Sequence, residues 1–448
     1  MDVFNTILDK ANLVICGIVT VAFAFQIIYL LLFFLPAKKY PKAKEKHKCG
    51  IIICAKDEAE IIGQTIKKMQ ELDYPKDKYE IIVMADNCSD RTAKIAKKLS
   101  SDVKVSVYER FESDKKKHTV GWALNYLFEQ MGDKIKEYEF FVRFDADAIV
   151  DKDYLNVMND AYESGVKLAK GYNNASNLTQ NVIAGVSGLW YIRDSRFNCQ
   201  ARNALGTDVF LVGSGMMFAS EIIQQDGGWF ATTASEDTEF TILNMNKKRK
   251  VGYCPDAILY EDQPSTLKDL FNRNVRMGHS LHKLFWTKGW GCLGRFFTSF
   301  RYCYLDMFLN LFFIPIAVLC CVWFPLYYGY TIIYSASVGN VAMLTQILTT
   351  IAYILAFAFL IPFILQAFLV YFLDRKKIGV PFKKVFWSCM AFPMFMIVWA
   401  IGIVIGVFSK QKWRKAKRNV DYIYGTKNDA KILKSASVCK FSSYKFKE

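Results

Sequence analysis

The stretch EFFVRFDADAIV, from Glu139 to Val150, is the most informative part of this 448-residue sequence. It begins as an apolar β-strand and ends in two aspartates one residue apart, Asp145 and Asp147, although the chain carries a formal net charge of +16. Carboxylates at positions i and i+2, one on the strand and one just beyond it, can present oxygen ligands to a hard divalent cation. A solvated turn that caps a helix is the other interpretation of a single Asp-x-Asp, so the surrounding sequence has to distinguish the two.

Strand-like and helix-like segments alternate around this stretch. The apolar runs at Cys49 to Ala55 and Tyr79 to Asp86 each precede a segment with helical periodicity, and the links between them are short. This alternation predicts an α/β fold with a parallel, Rossmann-like sheet. Ligands of such sheets bind at the carboxyl ends of the strands. Three polar clusters follow strand ends and are predicted to converge on one edge: Lys56, Asp57 and Glu58; Asp86 and Asn87; and Asp145 and Asp147.

Four apolar segments, almost free of charge, predict a membrane protein: Leu13 to Leu35, Leu305 to Ile333, Val341 to Leu373 and Val385 to Phe408. Each reaches the roughly 20 residues that a helix needs to cross a bilayer. The first is predicted to be a retained anchor, because the head of the chain is not basic and no small-residue cleavage site follows. The lysine cluster AKKYPKAKEKHK after it places the aqueous domain in the cytoplasm by the positive-inside rule.

These boundaries predict five regions. Residues 1–40 are the N-terminal transmembrane anchor, 41–265 the cytosolic α/β domain, 266–300 amphipathic interface helices, 301–408 the C-terminal transmembrane helices, and 409–448 a basic cytosolic tail. Four crossings from an outside N-terminus would leave that tail outside. Either the last apolar segment, which Pro393 interrupts, is re-entrant, or one long segment is not a single crossing.

The basic charge and the cysteines argue against several classes of function. The lysine and arginine clusters flank membrane segments, where they orient the chain and attract anionic lipid, instead of forming one face. No nucleic-acid partner is therefore predicted. The 12 cysteines include no CxxC pair and no Cys/His spacing of a metal site, so they are predicted to be reduced packing residues. A transporter is disfavoured too, since the apolar segments hold almost no ionisable residues.

Several motifs together resemble the family 2 glycosyltransferases, the group that contains the membrane-embedded processive cellulose, chitin and hyaluronan synthases. CAKDEAEII resembles the opening nucleotide-binding strand, MADNCSDRT the second nucleotide motif, and FDADA the metal motif. FLVGSG, Phe210 to Gly215, resembles the acceptor-binding segment, and Ser235 to Asp237 stand where the family has Thr-Glu-Asp. The resemblance covers roughly Cys49 to His282 and implies a GT-A domain inserted between transmembrane helices.

The resemblance also implies a role for each matching residue. Asp237 would be the catalytic base, and Asp145 and Asp147 would hold Mg²⁺ or Mn²⁺. The residues that would bind UDP are Ala55, Lys56, Glu58, Asp86, Asp145 and Arg276, and those that would bind the acceptor are Gly213, Ser214, Glu236, Arg273 and Met277. For Asp237, a helix capping box with Ser235 and Thr238 is the alternative. Lys117 is either a diphosphate contact or a solvated charge.

The implied reaction is an inverting hexosyl transfer from a UDP-sugar to a growing glycan at the bilayer of the plasma (inner) membrane. FLVGSG favours UDP-glucose and a β-linked glucan that leaves through the protein's own helices. The family's Gln-x-x-Arg-Trp reads Arg273 to Met277 here, which removes the tryptophan that stacks on the acceptor sugar. Transfer of one sugar to a lipid or polyprenyl phosphate therefore stays open, as does a chitin- or hyaluronan-like synthase that uses UDP-N-acetylglucosamine. An inactive binding module is disfavoured because Asp145, Asp147 and Asp237 are all present.

Overall fold

The strands of the aqueous domain form one sheet in this computed structural model, which describes residues 2–32 and 34–409. The strands are β1 (Cys49–Ala55), β2 (Tyr79–Asp86), β3 (Val105–Arg110), β4 (Phe140–Asp145), β5 (Ile149–Val150), β6 (Leu168–Ala175), β7 (Met216–Ala219) and β8 (Val251–Glu261). Their order across the sheet is β3-β2-β1-β4-β7-β6-β8-β5. The predicted basic tail lies outside the described residues from position 410 onward.

Helices cover both faces of the sheet and continue beyond it. They are α1 (Asp2–Leu32), α2 (Ile62–Gln70), α3 (Thr92–Lys97), α4 (Val120–Met131), α5 (Tyr154–Glu163), α6 (Val182–Arg193), α7 (Ala201–Leu205), α8 (Ser220–Asp226), α9 (Glu236–Asn246), α10 (Leu267–Leu284), α11 (Trp290–Ser299), α12 (Tyr302–Ser337), α13 (Val341–Tyr353), α14 (Ile361–Ile378) and α15 (Phe382–Phe408). Turns of π-helix connect α6 to α7, α10 to α11 and α13 to α14, at Asp194–Gln200, Phe285–Gly289 and Ile354–Leu360. Short 3₁₀ turns lie at Lys76–Lys78, Lys115–Lys117 and Gly132–Glu137.

The two halves of the sheet have different strand directions. In the first half, β3, β2, β1 and β4 are all parallel, as the sequence predicts. Alternate side chains point to opposite faces, so Ile51 and Ile53 pack in one core and Ile52 in the other. In the second half, β7 is antiparallel to β4 and β6, and β5 is antiparallel to β8. The sheet is therefore mixed, because the chain between β6 and β7 does not return to the amino end of β6.

Four helical segments are long and apolar enough to cross a membrane: Val3–Ala22, Tyr302–Ser337, Val341–Ile378 and Phe382–Phe408. The last three contain the predicted apolar segments, whereas the first overlaps the predicted segment Leu13 to Leu35 only from Leu13 to Ala22. Helices α1 and α12 are joined by side-chain hydrogen bonds from Tyr330 to Asn5, from Tyr327 to Asp9 and from Trp323 to Asn12. Such bonds hold helices together where no water competes for the polar groups.

Helix α10 links the aqueous domain to the membrane helix α15. A Cβ added to Gly278 of α10 would lie 2.4 Å from the carbonyl oxygen of Ile403. A Cβ added to Gly402 or Gly406 of α15 would likewise lie within 3 Å of an atom of α10. Small residues permit this backbone approach, and α15 continues through Pro393 without a break. The side chains of α10 are consequently fixed with respect to α15.

Candidate active site

Three strand ends bring the predicted donor-binding residues to one edge of the sheet. Strand β1 lies between β2 and β4, with Ala55 opposite Ala85 and Cys54 opposite Asp145. Asp86 is the last residue of β2 and Asp145 the last of β4. This is the convergence at one edge that the alternating strands and helices predict.

Asp86 is a recessed carboxylate on the nucleotide side of this edge. Its residue is 8% exposed, and its Oδ1 lies 2.8 Å from Nη1 of Arg110. Asn87, in a left-handed backbone conformation with φ of 51°, also donates to Oδ1 at 2.9 Å. Burial raises the pKa of Asp86, while the charges of Arg110, Lys56 and His118 oppose that rise. A fixed acceptor of this kind suits an N–H group of a nucleobase.

The loop after β1 is held by hydrogen bonds to the start of α3. Asp57 has φ of 54°, and its carboxylate accepts a hydrogen bond of 2.6 Å from the N–H of Ser89. The N–H of Glu58 donates to Oγ1 of Thr92 at 2.9 Å, and the Glu58 residue is 7% exposed. These contacts shape the edge on which Lys56 lies. Of these two predicted UDP-binding residues, Lys56 is partly exposed and Glu58 is buried.

A buried arginine orients the first aspartate of the Asp-x-Asp pair. Nη2 of Arg143 lies 2.7 Å from Asp145 and 3.4 Å from Glu236, and the Arg143 side chain is only 3% exposed. Arg143 and Asp145 share one face of β4, so the strand itself presets their contact. The Asp145 side chain is 41% exposed, whereas the Asp147 residue is 6% exposed. The pair thus presents one accessible and one recessed carboxylate.

The site contains more carboxyl groups than cationic side chains. Buried Lys170 donates to the carbonyl oxygen of Ser214 and lies near Glu261 at the end of β8. Burial raises the pKa of Glu236 to about 8, although Arg143 opposes this, and burial together with Asp145 raises the pKa of Glu261 to about 7. The site brings together five carboxyl groups and two buried cations: Asp145, Asp147, Glu236, Asp237 and Glu261 with Arg143 and Lys170. Ionising all five acids together is unfavourable without a further cation, and a divalent ion at Asp145 and Asp147 would supply one, so these residues fit the predicted metal.

Asp237 lies in the first turn of α9, where two backbone groups orient it. The N–H of Gly213 donates to its Oδ2, and the N–H of Thr238 donates to its Oδ1 at 2.7 Å. Ser235 makes no side-chain capping bond to α9 and instead bonds to Ser280 of α10 at 2.8 Å. The alternative of a Ser235 capping box is therefore wrong. The serine joins the helix of the proposed base to α10.

The loop from Phe210 to Gly215 connects the Asp-x-Asp pair to Asp237. Gly213 bonds to Asp237, and the hydroxyl of its neighbour Ser214 accepts a hydrogen bond of 3.0 Å from the N–H of Asp145. Gly213 and Gly215 have φ of 67° and 75°, which glycine adopts with little strain. Ser214 has no exposed surface. It therefore acts through the residues that it holds in place.

The three predicted residues of α10 have different surroundings. Arg276 is exposed, and its side chain makes no hydrogen bond or ion pair with a described residue. The surrounding protein and the charge of Arg273 nevertheless lower its pKa, as happens for a cation in a wide cleft. Arg273 donates to Gln263 at 2.8 Å and to Ser187 at 2.5 Å. Met277 packs with apolar side chains of α6, α12 and α15. Of the three, Arg276 is the one available to a phosphate.

The sequence-based prediction missed four charged residues of the site, all within or at the end of a strand: Arg110, Arg143, Lys170 and Glu261. A charge in a buried strand is costly unless it is paired. The lone arginine in FFVRFD and the lone lysine in LAKGYNNA were therefore usable signals. Lys117, by contrast, packs its Nζ over the ring of Trp122, 5.3 Å from the centroid.

Residues 47–280 match the sequence model of the family described as "Glycosyltransferase like family 2". The match covers just over half of the chain and contains every predicted site residue. The chain belongs to glycosyltransferase family 2. The sequence resemblance to this family, and with it a glycosyltransferase domain, is confirmed.

Curated relatives of this glycosyltransferase match its aqueous domain. It is 32% identical over 245 residues to "Probable glycosyltransferase YdaM" of Bacillus subtilis, covering 52% of this chain and 55% of the relative. It is 27% identical over 246 residues to beta-monoglucosyldiacylglycerol synthase of Synechocystis sp., covering 54% and 50%. It is 24% identical over 236 residues to poly-beta-1,6-N-acetyl-D-glucosamine synthase of Staphylococcus aureus, covering 52% and 54%. The chain spans about half the length of the curated relatives it matches.

A solved structure resembles a larger part of the glycosyltransferase. The mannosyltransferase PcManGT from Pyrobaculum calidifontis, in complex with GDP-Man and Mn²⁺, matches 88% of this chain and 98% of its own, with a TM-score of 0.55 and 15% identity. At this identity the likeness concerns the fold, and it confirms the predicted GT-A, Rossmann-like domain. The four apolar helices, independently of this likeness, indicate association with a membrane.

Proposed function

We propose that this enzyme uses UDP-glucose to build a β-linked glucan at the cytoplasmic face of the plasma (inner) membrane and passes it out through its own helices. The observation that carries the transfer step is the loop from Phe210 to Gly215. Its Gly213 orients Asp237 and its Ser214 orients Asp145, so a base and a metal-binding carboxylate are held by neighbouring residues. The choice of glucose rests on the resemblance of FLVGSG to the cellulose-synthase-like segment.

Donor binding is assigned to the edge formed by β2, β1 and β4. Asp86 accepts from the uracil, the loop of Ala55, Lys56 and Glu58 surrounds the nucleotide, and Arg276 contacts the diphosphate. Mg²⁺ or Mn²⁺ held by Asp145 and Asp147 would supply positive charge beside the leaving diphosphate. The carboxyl groups of the site outnumber its buried cationic side chains, which supports a cation at this position.

Asp237 is assigned the role of general base. It accepts the proton of the acceptor hydroxyl while that oxygen bonds to the anomeric carbon and the bond to the diphosphate breaks. Attack from the face opposite the diphosphate turns an α-linked donor into a β-linked product. Hydrogen bonds from Gly213 and Thr238 keep the carboxylate oriented for this step. The side chain of Glu236 is 10% exposed and lies 3.4 Å from Arg143. It therefore helps to hold the arginine that contacts Asp145.

The arrangement of α10 supports repeated transfer. This helix carries Arg276, bonds to the base helix through Ser280, and lies in backbone contact with α15. A product formed beside α10 is therefore already next to the membrane helices. The relative named poly-beta-1,6-N-acetyl-D-glucosamine synthase supports a polymer as the product, and also keeps UDP-N-acetylglucosamine as a donor to be tested.

A second candidate function is transfer of one sugar to a lipid or polyprenyl phosphate. Met277, at the position of the stacking tryptophan, packs among apolar side chains, and Arg273 is engaged by Gln263 and Ser187. Both side chains are therefore occupied, and neither has the aromatic ring that stacks on a sugar. The relative named beta-monoglucosyldiacylglycerol synthase supports this candidate.

The experiment uses full-length enzyme in lipid nanodiscs with Mn²⁺ or Mg²⁺. Release of nucleotide is measured for UDP-glucose, UDP-N-acetylglucosamine, UDP-galactose and GDP-mannose, and radiolabelled product is analysed by electrophoresis, glucanase digestion and organic extraction. We expect UDP-glucose to be preferred and a glucanase-sensitive polymer to form. A single organic-extractable product would support the second candidate, and no nucleotide release from any donor would contradict both.

A further inference from the structure

A buried arginine ties the loop from Phe210 to Gly215 to the membrane helices. Arg202 of α7 is 2% exposed, and its Nε and Nη2 donate to the two carboxylate oxygens of Asp306 at 2.7 and 3.0 Å. Asp306 lies near the start of α12 and is completely buried. The guanidinium carbon also lies 4.0 Å from the ring centroid of Phe210 and 4.7 Å from that of Tyr29 in α1. One side chain thus contacts the loop and two membrane helices.

The loop from Phe210 to Gly215 is joined by hydrogen bonds to α9, the helix that carries the proposed base. Phe210 is 4% exposed, and the N–H of the next residue, Leu211, donates to Oγ1 of Thr241 in α9 at 3.0 Å. Gly213 then donates to Asp237, which is also on α9. Every step between Arg202 and Asp237 is therefore a ring contact, a covalent link or a hydrogen bond.

The chemistry of the pair favours a role in geometry. Burying an arginine and an aspartate is costly, and two apolar side chains would often hold the same elements together as firmly. A bidentate guanidinium, however, fixes the orientation of its partner as well as its distance. Its flat faces remain free to stack on rings. Arg202 uses both properties at once.

We infer that Arg202 is a positioning residue, which couples the placement of α1 and α12 in the membrane to the placement of Asp237 against the acceptor. This inference rests on the proposed function of Asp237. The donor edge is held mainly by the pairing of β2, β1 and β4, and the loop contacts it through the hydrogen bond from the N–H of Asp145 to Ser214. Loss of the Arg202 contacts is therefore expected to impair transfer to the acceptor more than donor binding.

The chain contains a matched control pair. Arg196 and Asp374 form a second arginine–aspartate contact between the aqueous domain and a membrane helix, α14, at 2.9 Å with side chains 15% and 3% exposed. Asp374 also accepts a hydrogen bond of 3.1 Å from the hydroxyl of Tyr172 in β6. This pair has similar chemistry to Arg202–Asp306, but its partner ring belongs to the sheet instead of the loop.

The test compares full-length enzyme in lipid nanodiscs with three variants: Arg202→Met/Asp306→Leu, Phe210→Leu, and the control Arg196→Met/Asp374→Leu. Both double variants replace each partner, so neither leaves an unpaired buried charge. The measurements are sugar transfer, UDP release without transfer, UDP affinity and Tm. For the first two variants we expect kcat for transfer to fall about tenfold or more, because small displacements of a catalytic group have effects of this size. UDP affinity and donor hydrolysis are expected to fall much less than transfer, and the control should keep the wild-type ratio of transfer to hydrolysis.

Two results would overturn the coupling. One is a wild-type ratio of transfer to hydrolysis in Arg202→Met/Asp306→Leu, or an equal loss in the control. The other is an unaltered Phe210→Leu enzyme, because the proposed route passes through that ring. Hydrogen exchange of the amides at 210–215 tests the coupling without turnover, and it should become faster in the Arg202 variant but not in the control. An inactive wild-type enzyme would contradict the proposed function, while the exchange experiment would still decide the coupling.

Discussion

The donor half and the acceptor half of this active site are built in different ways. On the donor side, Asp86 and Asp145 end neighbouring strands, so the register of the sheet brings them together. On the acceptor side, Asp237 and Met277 lie on helices whose positions depend on contacts between distant segments. Ser235 bonds to Ser280, and Gly278 packs on α15. Donor recognition is therefore a property of the sheet, and acceptor geometry is a property of packing next to the membrane helices.

The largest expected effect separates the two halves at the base. Asp237→Asn should lower kcat for transfer by a factor of about 10² to 10⁴, because the amide cannot accept the acceptor proton. UDP affinity should stay unchanged, since the donor edge does not include this residue. Steady-state transfer assays and UDP titration check both statements. Glu239→Gln serves as the control, because it changes an acid on the same helix and preserves the acceptor for the N–H of Thr233. A fully active Asp237→Asn enzyme would show that Asp237 is not the general base.

Arg143→Met tests the side chain that joins the halves, because Arg143 contacts Asp145 on one side and Glu236 on the other. Asp145 is accessible to water, so the main loss is the cation of buried Glu236, which should lower the free energy of unfolding by about 1–3 kcal/mol. It should also weaken Mn²⁺ binding by about tenfold or more, because Asp145 loses its orienting contact. Denaturation and metal titration measure the two effects. Lys136→Met, which removes a pair with Asp133 whose side chains are 67% and 93% exposed, should leave the free energy of unfolding close to the wild-type value.

Gly278→Val tests whether the acceptor half depends on the close contact of α10 with α15. The new Cβ would lie 2.4 Å from the carbonyl oxygen of Ile403, so the helices must move apart, at a cost of about 1–3 kcal/mol. We expect transfer to fall further than UDP affinity. Gly294→Val on α11 has no atom within 4 Å of its added Cβ and should leave both quantities close to wild type. Equal losses of transfer and of UDP affinity in Gly278→Val would contradict separate construction of the two halves.

The smallest expected effect is a pH dependence of stability. Burial raises the folded-state pKa of Glu236 to about 8, above the value of about 4.3 for an exposed glutamate. The folded state therefore binds this proton more tightly, and the free energy of unfolding should fall as the pH rises from about 4.5 to about 8. Denaturation of metal-free enzyme across this range measures the slope. Glu236→Gln should flatten it, and an identical slope in that variant would show that another group is responsible.

The sequence by itself determined the donor half of the site. Parallel strands place their carboxyl ends at one edge, so alternation of strands and helices was enough to group Asp86, Asp145 and Asp147 before any distance was known. The four apolar segments were equally predictable, because crossing a bilayer requires a length that can be read directly from composition. Both properties depend on local pattern, which the order of residues contains.

Only the tertiary structure decided how the acceptor half is arranged. Nothing in the spacing of Gly213, Arg143 and Lys170 reveals that the first orients Asp237, the second contacts Glu236, and the third supports Ser214. The antiparallel β7 and the contact of Arg202 with Asp306 were likewise invisible. The physical reason is that these contacts join segments far apart in the chain, where packing and charge pairing select the partner, and a one-dimensional pattern carries no distance between such segments.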